Sequence, residues 1–133
     1  MTVGSLGEDL VEQHYKKLGY RLVERNYIFP HGRQMGEIDL IVSKQKELVF
    51  VEVKARRSNK FGSGLDAVDI YKQRKLVRTA KLFLKENTKY QSFDYRIDVA
   101  IVDIDPVRSK IFNGVDKPNQ NVIIIPNAIE DLD

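Results

Sequence analysis

Two carboxylates and a lysine stand out in the stretch from Gly36 to Lys54, GEIDLIVSKQKELVFVEVK. Asp39 lies in a first run of strand formers, Glu52 in a second, and Lys54 two residues further on. If Gln45-Lys46 makes a two-residue hairpin turn, paired positions sum to 91 and Asp39 faces Glu52. Directly opposed strand residues hold their Cβ atoms about 4.5–5.5 Å apart, where like charges repel. A hard divalent cation relieves that repulsion, because carboxylate oxygens are its usual ligands and waters complete its shell. Asp39 and Glu52 are therefore the expected ligands of Mg2+ or Mn2+, with the Val53 carbonyl as a further donor. Such a cation makes water a competent nucleophile near neutral pH. Lys54, on the same side of the strand as Glu52, is placed to orient that water or meet charge developing at phosphorus. Together these residues have the makings of phosphodiester hydrolysis; an internal ion pair is the plainer alternative.

Positioning these groups requires a hairpin and helices around it. Ser5-Leu6-Gly7-Glu8 has the form of a capping box and predicts a helix to about Leu18, stopped by Gly19, with Leu6, Leu10, Val11 and Leu18 on one face. Glu8 then either caps this helix or reaches the carboxylate pair. Strands are predicted over 20–29, 37–43 and 48–55, with a turn at Pro30-His31-Gly32. In the third strand Val49, Val51 and Val53 make one face apolar, while Leu48 and Phe50 open a second face that turns charged at Glu52 and Lys54. Both faces of the sheet should therefore be covered. Residues 56–65 read as a loop, 67–87 as a second helix, and 95–104 as a fourth strand in which Asp98 opposes Ile97, Val99 and Ile101. Short strands at 110–112 and 122–125 precede a peripheral acidic tail.

On the second helix, at about 100° per residue from Ala80, Leu76, Val77, Phe83 and Leu84 fall within about 60° either side. Gln73 at about 20° and Asp69 at about −20° fall inside this apolar face, where polar groups need partners. Gln73 is accordingly a candidate to reach the metal site or a scissile phosphate, or else joins a buried hydrogen-bond network. Arg74, Arg78, Lys81 and Lys85 form an outward basic row that either tracks a nucleic-acid backbone or is an ordinary solvated helix face.

Composition narrows the classes. The 133 residues are 42% hydrophobic and 31% charged, which suits one folded domain spanning 1–133 and excludes a disordered chain. No run approaches the roughly 18 apolar residues of a membrane helix, and the start lacks the pattern of a secretory signal, so a cytoplasmic location with no membrane partner is expected. With no cysteine and two histidines, thiolate chemistry is excluded and metal binding would be through oxygen, which favours magnesium, manganese or calcium. Residues 44–89 carry thirteen basic and five acidic side chains, although the whole chain is only +3. A basic centre beside a carboxylate pair suggests a polyanionic partner, the plainer alternative being a solvated lysine-rich surface.

The stretches LGEDLVEQHYKKLGYRLVERNY, GEIDLI, LVFVEVKARRS, FGSGLDAVDIYKQRKL and FDYRIDVAIV cover roughly residues 4–104. In that order and spacing they resemble the YraN family of uncharacterised, Holliday-junction-resolvase-like endonucleases within the PD-(D/E)xK nuclease superfamily. The resemblance implies an α/β fold with a restriction-endonuclease-like αβββαβ core, a central mixed sheet flanked by helices, here with a short C-terminal β extension. It implies Asp39 and Glu52 as metal ligands for Mg2+ or Mn2+ and Lys54 as the catalytic lysine. Glu8 matches an acidic residue of the first helix in resolvase-like relatives, and Gln73 the polar residue after the catalytic strand. The segment YIFPHGRQMGEIDL departs from the family's shorter form before Gly36. The expected activity is metal-dependent cleavage of structured or branched DNA, held by Arg56, Arg57, Lys60, Arg74, Arg78, Lys81 and Lys85. A homodimer would address both strands of a junction. The alternative is a non-catalytic nucleic-acid-binding module with the same fold.

Overall fold

The computed structural model describes residues 2–31, 36–56, 69–104 and 121–130. Helix α1 (Val3–Lys17) is followed by the strands β1 (Arg21–Ile28), β2 (Glu37–Lys44) and β3 (Glu47–Arg56). Helix α2 (Ile70–Glu86) leads through a short 3-10 turn into β4 (Asp94–Asp103), and β5 (Asn121–Ile129) is the last described element. The result is an α/β fold with one five-stranded mixed sheet in the order β1-β2-β3-β4-β5. Among the described strands only β3 and β4 run parallel. A parallel neighbour needs a crossover, and the segment containing α2 supplies it.

The β2–β3 hairpin has the predicted register. Leu40 pairs with Val51, Ile41 with Phe50 and Val42 with Val49, across a turn in which Gln45 takes φ 54°. A left-handed first turn residue matches the right-handed twist of the flanking strands. Alternation then sorts the β3 side chains as the sequence implies. Leu48 and Phe50 join Leu76, Ala80 and Phe83 of α2 in one core, whereas Val49 and Val51 join Leu10, Val11 and Tyr15 of α1 in another.

Several boundaries differ from expectation. Helix α1 starts earlier: Thr2, not Ser5, is the N-cap, and Thr2 and Ser5 exchange side-chain and backbone hydrogen bonds of 3.0 and 3.1 Å. A hydroxyl three residues on completes the box as a glutamate would, so Glu8 is released from capping. Leu18 ends α1 half exposed rather than packed, because Gly19 at φ 94° turns the chain away there. Asp69 is not on a buried helix face; it is the N-cap of α2 and accepts from the Lys72 backbone N–H at 2.9 Å. The predicted tail is partly strand, since β5 runs to Ile129, which is buried against β4. The short strand expected at 110–112 lies outside the described residues.

Asp98 is fully buried and has partners on every side. It accepts from Tyr15 Oη at 2.7 Å, from Arg96 Nε at 2.9 Å and from the Asn127 N–H at 2.9 Å. Burial and this hydrogen bond push the Tyr15 phenol well above its ordinary range. The network therefore joins α1, β4 and β5 with every buried polar atom satisfied.

Helix α1 sits close against β3 at Gly7, where an added Cβ would come 2.7 Å from the Ala55 Cβ. Neither atom can rotate away. Gly7→Ala is expected to lower stability in a urea titration by about 1–3 kcal/mol through overpacking, although alanine is the better helix former. No helix among the described residues is long and apolar enough to cross a membrane.

Candidate active site

The site lies where the β2–β3 ladder stops. Leu40–Val51 is the last pair of that ladder, and Asp39 instead accepts the Val53 N–H through its side chain at 2.7 Å. The cause lies partly in β1. Leu40 and Arg25 pair and serve the α1 side, whereas Ile38 and Tyr27 pair and serve the α2 core. Residues two apart should share a face. Here Asn26, between Arg25 and Tyr27, takes φ 56°, so the ribbon changes face at that point. Asp39, across from Asn26 in this register, lies at the change of face and turns towards β3.

Glu52 is buried at 3% exposure on β3, facing α2. Its cation is Lys72, whose Nζ lies 2.5 Å from Glu52 Oε1. Burial opposes the Lys72 charge, but the hydrogen bond to Glu52 and the negative charges of Glu52, Asp39 and Asp69 outweigh it and raise its pKa. Asp39 is under the opposite pressure. Burial first, then the neighbouring Glu52, push its carboxyl from 3.8 to about 8, against the Val53 hydrogen bond that favours the anion. Glu8 and Glu37 add smaller repulsions.

Glu8 faces this group from α1 but is held by β1. Arg25 Nε lies 3.2 Å from Glu8, and the same guanidinium binds Asp9, Glu12 and the Ser5 carbonyl. The Asn26 amide, with its nitrogen turned towards the carboxylates, donates to Glu37 at 2.7 Å and to Glu8 at 3.1 Å. The start of β2 is tied to α2, because Thr79 Oγ1 donates to the Gly36 carbonyl at 3.1 Å. A Cβ on Gly36 would approach the Lys75 Cβ to 3.1 Å.

Asp39, Glu52 and Glu8 are thus within electrostatic reach of one another. Lys54 is half-buried one turn of the pleat beyond Glu52 and makes no ion pair with a described residue. Gln73 is half-buried in the first turn of α2, its N–H bonded to the Asp69 carbonyl. Arg74, Arg78 and Lys85 are exposed along α2, and Lys81 is half-buried. Arg56 is engaged elsewhere, with its Nε 2.5 Å from Asp103 on β4. Arg57 and Lys60 lie outside the described residues.

The donor set suits a hard cation. Among the described residues no three acidic or histidine side chains form a metal-holding group. Mg2+ commonly takes one or two carboxylates and completes its shell with waters and substrate phosphate. Asp39 and Glu52 are two such carboxylates, and the Asp39 carboxyl is raised first by desolvation and then by the charge of Glu52.

Lys72, Arg25 and Asn26 are participants that sequence reasoning missed. Lys72 left a trace: from Ala80 it lies at about −80°, just outside the apolar face that the sequence predicts. The buried residues Leu76, Thr79, Ala80 and Phe83 centre the true face nearer about −50°, which brings Lys72 in. For Arg25 and Asn26 the sequence carries no comparable trace.

Comparison with known proteins gives a consistent answer. The uncharacterised protein family UPF0102 matches residues 7–102. A UPF0102 protein of Chloroherpeton thalassium is 35% identical over 99% of this chain and 96% of its own length. One from Chlorobium chlorochromatii is 45% identical over 77% of this chain and 74% of its own. Another, from Caldanaerobacter subterraneus, is 38% identical over 79% and 82%.

Proposed function

This chain belongs to the uncharacterised protein family UPF0102, a membership that names no reaction, and we propose that it is a divalent-metal-dependent endonuclease acting on structured or branched DNA. The observation that carries this reading is the half-buried Asp39 beside the buried Glu52, with the Asp39 carboxyl pushed to about 8 by desolvation and by Glu52. Two such carboxylates cost stability in isolation, and a Mg2+ or Mn2+ ion shared between them offsets that cost.

Asp39 and Glu52 would hold the ion, which when bound supplies electrostatic stabilisation of charge building on a phosphoryl group. The Val53 N–H fixes the Asp39 carboxylate, leaving its second oxygen for the site. Lys54 shares the Glu52 face of β3 and orients the attacking water, or meets charge on the phosphorane oxygens. Glu8 adds negative charge from α1, and Gln73 stands at the start of α2 as a donor for the scissile phosphate. The exposed cations Arg74, Arg78 and Lys85 lead away from the site and neutralise flanking phosphates.

One observation favours the second reading, a DNA-binding module without turnover: Lys72 already gives Glu52 a cation. Cleavage assays separate the two. With labelled four-way, forked and linear DNA, wild type is expected to cut only when Mg2+ or Mn2+ is present, with EDTA stopping the reaction. Lys54→Ala should slow cutting about 10²-fold or more while leaving DNA binding within a few-fold. Salt-sensitive binding without cleavage of any substrate in either metal would establish the module instead.

A further inference from the structure

The outer face of α2 carries one residue that a merely solvated helix has no reason to show. Of the six tyrosines, Tyr15, Tyr20, Tyr27, Tyr90 and Tyr95 each pack against another aromatic ring. Tyr71 has no ring partner among the described residues and is 73% exposed, with the neighbouring Ile70 54% exposed. Burying either would be worth more than leaving it in water, so both stand out at the end of a helix.

Helix geometry places Tyr71 among cations. Counting from Arg78, Tyr71 falls at about 20°, Lys85 at about −20°, Arg74 at about −40° and Lys75 at about 60°. All four cations are exposed, and no acidic residue of the helix falls inside that arc. An aromatic face set in a basic stripe is the composition that binds unpaired nucleotides: the cations follow the phosphates while a base stacks on the ring. Tyr71 also lies one residue before Lys72, whose ammonium touches Glu52, so the ring stands at the end of α2 nearest the carboxylates, about 100° round the helix from Lys72.

We infer that Tyr71 is a stacking platform for an unpaired base of DNA and that the α2 face selects substrates with unpaired bases next to the cut. The inference deepens the nuclease reading and rests on it for the position of the cut, but not for the binding itself. Stacking is local to single-stranded bases. It should therefore add nothing for fully paired duplex, whose bases already stack on each other.

The test is a metal-free binding titration in EDTA, using forked DNA with an unpaired 2-aminopurine at the fork and a paired duplex of equal length. Wild type is expected to bind the fork more tightly and to change the fluorescence of the unpaired base. Tyr71→Ala should weaken fork binding about tenfold and abolish that change, with duplex affinity unaltered, and Tyr71→Phe should restore both. Arg78→Ala should instead weaken both DNAs alike and reduce the salt dependence by about one ion. Fork binding by Tyr71→Ala equal to wild type, or an equal loss on the duplex, would overturn the inference. Because no metal is present, Tyr71-dependent fork binding in a protein that cuts nothing would uphold the platform while removing the nuclease. Absence of DNA binding by wild type would remove both.

Discussion

Asp39→Asn is expected to abolish metal-dependent cleavage and, in the same molecule, to raise the stability of the metal-free fold at neutral and alkaline pH. The first effect follows from the ligand role. Losing a carboxylate from a catalytic cation site forfeits several kcal/mol of charge stabilisation, and each 1.4 kcal/mol is about tenfold, so a loss of about 10³-fold or more is expected. The amide keeps the shape and its oxygen still accepts from the Val53 N–H, so the loss is one of charge rather than of structure.

The second effect has its sign set by the direction of the Asp39 shift. The unfolded chain releases this proton near 3.8, whereas the folded protein keeps it until about 8. Between those values the native state binds more protons than the unfolded one, so stability falls as pH rises through that window. Asparagine carries no such penalty. The gap between variant and wild type, measured by urea unfolding in EDTA, should open from pH 4 to pH 8 and stay open above it. Mg2+ should then stabilise wild type at pH 8.5 and leave the variant unmoved. Parallel pH profiles for the two proteins, or undiminished cleavage by Asp39→Asn, would dismiss the carboxylate pair as the reacting centre.

Lys72→Met is expected to destabilise the metal-free protein by about 2–3 kcal/mol. Breaking a fully buried ion pair typically costs about 3–5 kcal/mol, because the surviving charge is left without a partner. Here the Glu52 side chain is 4% exposed but that of Lys72 is 42% exposed, so water moderates the loss. Two further measurements separate charge from packing. Adding Glu52→Gln to the methionine variant should recover most of the stability, since the orphaned charge is then gone. Saturating Mg2+ should raise the melting temperature more for Lys72→Met than for wild type, because the ion no longer competes with an ammonium for Glu52. A methionine variant as stable as wild type would mean that Glu52 is not ionised against Lys72. Failure of both rescues would mean that the lysine stem, not its charge, supports the fold.

Substitutions at Lys54 and Lys72 should differ in kind. Lys54, without an ion pair to a described residue, is expected to affect turnover with little effect on stability. Lys72, paired with a buried carboxylate, should affect stability first. A nuclease reading that assigned the helix contribution to Gln73 alone would not anticipate that division.

The hairpin was legible in the chain because its causes are local. A two-residue turn and a period-2 pattern determine which residues oppose each other, and so Asp39 and Glu52 could be brought together on paper. The alternation of valines with Leu48 and Phe50 likewise announced a sheet covered on both faces. What only the tertiary structure decided involves rotation and distance. The rotation of α2 about its axis is set by how Leu76, Thr79 and Phe83 pack on the sheet, and it delivers Lys72 to Glu52. The change of face at Asn26 turns Asp39 to Val53, and Arg25 takes Glu8 across the interface of α1 with β1. Arg56, read as a DNA contact, is claimed by Asp103, 47 residues away in the chain. Sequence spacing specifies neighbours along a strand or a helix; which faces meet depends on packing, which no local period encodes.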